Sequence, residues 1–61
     1  MQFEDIQLGG LYKDNLNEII GTCIGKYEGR HENIIDLLPK SLDGANKITP
    51  YWVHPNDITE I

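Results

Sequence analysis

The side chains that could do chemistry in this 61-residue chain fall mainly in two stretches. "YEGRHE" sets Tyr27, Glu28, Arg30, His31 and Glu32 side by side, the ingredients of a general acid–base pair. "YWVHPNDITEI", residues 51–61, holds two aromatics, a histidine, a proline and two carboxylates. Cys23 is the single thiol. Each group has a structural reading that outweighs the chemical one. "YEGRHE" reads as an exposed turn, where nothing desolvates a titratable group, so Arg30 and His31 are expected to form contact surface rather than a reactive pair. Cys23 sits mid-strand among Ile20, Thr22 and Ile24 with no basic neighbour, the setting of a buried, inert thiol. His31 and His54 lie far apart in sequence and outside any Cys/His cluster, so no metal site is expected. No nucleophile elbow, phosphate loop or calcium loop is present, so neither a cofactor nor catalysis is expected.

Composition narrows the partners. Ten Asp and Glu oppose five Lys and Arg, a formal charge of −5 with histidine neutral. The five cations form no run, which disfavours binding to DNA or RNA. The spread of acids reads first as a solvated surface. An acidic inhibitor or nucleic-acid mimic acting on a basic partner is the alternative, and a ribosome-associated barrel a third reading. A lone cysteine, no leader-like start and no run of roughly 20 apolar residues point to a cytoplasmic protein.

The elements must be short. Gly, Pro and Asn recur too closely for a helix of ten or more residues, and the gaps suit strands. The spacing predicts one domain over residues 1–61. A first extended piece is expected over Phe3–Leu8, with a kink at Gly9-Gly10 before Leu11 and Tyr12. The longest strand is expected over Glu18–Tyr27, rich in β-branched residues, with glycines that permit curvature. "NIIDLLP" is the third strand, preferred over a helix because Pro39 ends it. Asp43-Gly44 marks a turn. "KITPYWV" is the fourth strand, "HPND" one helical turn, and "ITEI" a short fifth strand.

Five short strands with a helical turn before the last predict an all-β fold, a small curved barrel. The ending "WVHPNDITEI" resembles the closing segment of SH3-like barrels, with Val53, Pro55, Asn56, Ile58 and Ile61 in its pattern. "GGLYKD" resembles their first strand running into a loop. The resemblance implies a five-stranded SH3-like barrel of the small bacterial or phage type. It does not carry over a proline-rich-peptide groove. Trp52 lies only three residues before Pro55, Asp57 stands where that groove has a tyrosine, and only Tyr12 and Pro55 match it loosely.

The function expected from this reading is a non-catalytic interaction module that binds a protein partner through aromatics and loops. Trp52 is the leading contact residue, exposed and flanked by Tyr12 or Tyr51, with Arg30 and His31 as further candidates. Val53, Ile58 and Ile61 are expected in the core, and Asp57 as the cap of the turn. Self-association is also expected, because Ile34 and Leu38 share one face of the third strand while Ile35 and Leu37 share the other.

Overall fold

A computed structural model describes residues 1–40 and 49–61. Its five strands form one antiparallel sheet: β1 (Leu11–Asp14), β2 (Ile19–Glu28), β3 (Asn33–Pro39), β4 (Tyr51–Val53) and β5 (Ile58–Glu60). Their order across the sheet is β4-β3-β2-β1-β5. The two outer strands do not pair with each other, so the ladder is not closed. Among the described residues helical structure is confined to two 3-10 turns, Phe3–Asp5 and Pro55–Asp57. The all-β expectation therefore holds, as do the strand assignment of "NIIDLLP" and the turn at "HPND". The fourth strand is shorter than expected, beginning after Pro50, and its expected start at Lys47 and Ile48 lies outside the described residues, as does the Asp43-Gly44 turn.

The first expected strand is not one. Phe3–Asp5 forms a 3-10 turn closed by the Ile6 amide on the Phe3 carbonyl, and β1 starts only at Leu11. The sequence there lacks period-two alternation, and the chain does better by turning Ile6 inward, where it is 1% exposed. Lys26 secures this segment: its Nζ donates to the Ile6 carbonyl and stands 4.5 Å from the Phe3 ring centroid. Gly9 then adopts φ 85°, the left-handed region that glycine enters without steric cost, and its amide donates to the Cys23 carbonyl.

Alternation divides the sheet into two faces. On β3, Ile35 and Leu37 are fully buried, while Ile34, Asp36 and Leu38 face the other way and stay half-buried. The core gathers Ile6, Tyr12, Cys23, Ile35, Leu37, Val53 and Ile58, with Met1, Phe3 and Tyr51 packed against it. Full burial of an aliphatic side chain contributes about 1.5–3 kcal/mol, so Ile6, Ile35, Leu37 and Ile58 supply much of the driving force. Two core assignments fail. Ile61 is 63% exposed, because β5 ends at Glu60 and the last residue passes beyond the sheet. Tyr12, expected on the surface, is 4% exposed, because its position opposite Gly21 turns the ring to the core side, where its hydroxyl accepts from the Gln7 amide.

A β-bulge interrupts the β2–β3 ladder between Cys23 and Gly25, leaving Ile24 as the extra residue. Gly25, one of the glycines expected to permit curvature in β2, follows the bulge directly.

Candidate functional site

The outer face of the sheet carries the exposed aromatics. Trp52 is 73% exposed at the centre of β4. It pairs with Asp36 of β3, and Asp36 pairs with Gly25 of β2. Ile34 and Leu38 flank Asp36 on the same face, diagonal to Trp52 and within reach of a large ring. Tyr27 pairs with Ile34, and Leu38 with Thr22, which pairs in turn with Leu11. Tyr27 and Leu11 are exposed. The result is a continuous apolar and aromatic strip with one carboxylate, Asp36, inside it.

Trp52 is thus exposed as expected, but its neighbours differ from those expected. Tyr51 turns to the core side, because adjacent residues of a strand point to opposite faces. Tyr12 is buried. Neither tyrosine stands beside Trp52 on its face. Arg30 and His31 are exposed in the turn between β2 and β3, which lies at the His54 end of β4 rather than alongside Trp52.

The turn does build a second feature. His31, Glu32 and Asn33 line an open groove of about 430 Å³ with Met1–Glu4 and His54–Asn56. His54 Nε2 lies 4.0 Å from Glu32 Oε2, both side chains largely in solvent. Screening at such exposure makes this contact weak. The fold therefore brings together two histidines that sequence spacing kept apart. Among the described residues no group of three or more His, Cys, Asp or Glu is placed to hold a metal ion.

A third feature had only a partial signal in the sequence. Asp14 is 1% exposed, a carboxylate buried at the end of β1. Its Oδ1 accepts from the Leu16 amide at 3.0 Å, and its Oδ2 from Asn17 Nδ2 at 2.9 Å and the Tyr51 hydroxyl at 2.6 Å. Burial by itself pushes the Asp14 carboxyl up, but bonds from Tyr51, Asn17 and Leu16 favour the charged form and hold it below its ordinary value. Tyr51 moves the opposite way: burial, then the Asp14 carboxylate, push its phenol well above the ordinary value. A carboxylate satisfied by neutral donors inside a fold is a structural fastening, and nothing about it resembles a poised acid or base. "YKDNLN" could have flagged the Asp14–Leu16 contact, since aspartate commonly bonds the amide two residues on, but not the distant tyrosine. A shallow cavity of about 120 Å³ lies beside this fastening, between Leu16 and Asn17 on one side and Trp52, His54 and Asp57 on the other.

Asp57 was expected to cap the closing turn. The turn is instead held by the Asp57 amide on the His54 carbonyl at 2.9 Å, with no side-chain cap, since the residue at the capping position is His54.

No protein family, curated protein or solved structure matches the chain.

Proposed function

We propose that this chain is a small non-catalytic interaction module that binds a protein partner through the outer face of its sheet, centred on Trp52. The observation that carries this reading is the 73% exposure of the single tryptophan on a face that also displays Tyr27, Leu11, Ile34 and Leu38. An exposed, rigid aromatic in an apolar surround gives large contact area at low entropic cost, and tryptophan is enriched among residues that dominate binding energy. The same proposal places the fold among small SH3-like barrels. The strand order β4-β3-β2-β1-β5 and the 3-10 turn directly before β5 support that assignment.

The test is paired affinity capture from the source cell with the natural chain and Trp52→Ala, followed by direct binding to the recovered protein. A partner retained by the first and lost by the second is expected. Equal recovery by both, with both chains folded, overturns the reading.

A further inference from the structure

Resting on the docking reading above, we infer that the partner presents an arginine side chain to this face, received by Asp36 with an aromatic residue on either side. Three positions in register across the sheet define the seat. Trp52 of β4 stands opposite Asp36 of β3, and Asp36 stands opposite Gly25 of β2. Gly25 contributes no side chain. Tyr27, two residues on and on the same face, fills its place: a Cβ added at Gly25 would lie 2.7 Å from the Tyr27 hydroxyl and 3.0 Å from its ring carbons. The bulge between Cys23 and Gly25 brings Gly25 rather than Ile24 opposite the carboxylate. A row of tryptophan, carboxylate and tyrosine results.

No cation among the described residues is paired with the carboxylate of this seat. Among the described residues the ion pairs are limited to His54 with Glu32, and Asp36 takes part in none. Ile34 and Leu38, half-buried on either side of Asp36, give the seat an apolar rim against which the stem of a long side chain can pack. The chain carries −5 overall, which draws basic segments toward it. Arginine fits this chemistry closely, because its planar guanidinium stacks on aromatic faces and donates in pairs to a carboxylate.

The experiment uses four fluorescein-labelled peptides of sequence Leu-X-Leu-X-Leu, where X is arginine, lysine, glutamine or glutamate. Binding to the full chain is read by fluorescence anisotropy. The arginine peptide is expected to bind at least tenfold tighter than the glutamine peptide, and the glutamate peptide weakest of all. Asp36→Asn, checked for native circular dichroism, is expected to remove most of the arginine preference, and Tyr27→Leu part of it. Equal binding of arginine and glutamine peptides, or an arginine preference untouched by Asp36→Asn, overturns the inference. If Trp52→Ala weakens both peptides in that case, the docking face stands without its cation seat. A lysine peptide as tight as the arginine peptide overturns the assignment to guanidinium. Absence of binding by all four also overturns the inference, while the docking reading keeps its separate test by capture.

Discussion

The Tyr51 hydroxyl donates to Asp14 Oδ2 at 2.6 Å, joining β4 to β1 although β3 and β2 lie between them in the sheet. Two strands so placed can touch only if the sheet curls until their inner faces meet. The backbone ladder does not close this curl, and the side-chain bond fastens it instead.

Tyr51→Phe removes that fastening while keeping the ring. Losing one donor to a buried carboxylate costs about 1–3 kcal/mol, measurable by urea unfolding at neutral pH. An unchanged midpoint and slope would show that the bond holds nothing.

The same pair predicts two pH limbs. Asp14 is held below the unfolded value near 4, so its contribution is present above about pH 4 and fades as pH falls through its folded value. Tyr51 is raised above the unfolded value near 10, so its contribution is complete below about pH 10 and is lost as pH rises further. Unfolding midpoints measured from acid to alkaline pH should show both limbs in the natural chain. In Tyr51→Phe the alkaline limb should flatten and the acid limb shrink. Two superimposable profiles would remove Asp14 and Tyr51 as the cause.

Cys23 is fully buried, its Sγ donates to the Gly25 carbonyl at 3.5 Å, and burial raises its thiol above the ordinary range. A disulfide exchange reagent should therefore modify the native chain orders of magnitude more slowly than the urea-unfolded chain. Comparable rates in both states would place the thiol at the surface.

Glu18 occupies φ 56° in the turn between β1 and β2, a left-handed conformation that costs a side-chain-bearing residue about 1–2 kcal/mol. Glycine there avoids the steric cost but loses more entropy on folding, by about 0.5–1 kcal/mol. Glu18→Gly should therefore stabilise the chain by about 0.5–1 kcal/mol, and Glu18→Val should destabilise it. Chemical denaturation of the three chains decides this, and a less stable glycine variant would contradict the turn geometry.

Much of the architecture was legible because local signals and packing agreed. "NIIDLLP" carries adjacent β-branched residues, ends in proline and forms β3 from Asn33 to Pro39. "HPND" and "ITE" likewise fell where their residue types direct. The N-terminal piece misled because Phe3, Ile6 and Leu8 look like strand material, whereas one isoleucine driven into the core decides its path. Tyr12 misled for a related reason: its facing depends on register with Gly21, a partner no local pattern names. At the candidate site, the exposure of Trp52 followed from alternation against Val53. Its row with Asp36 and Tyr27 did not, because it depends on the pairing of three strands and on one bulge.

The proposed role of Trp52 in binding rather than in the core is tested by comparing stability and partner affinity in Trp52→Ala. The expected result is a stability loss under about 1 kcal/mol, well below the roughly 3–5 kcal/mol for truncating a buried aromatic, together with at least a tenfold loss of affinity for the captured partner. Collapse of the fold, or full affinity in a stable variant, would contradict it.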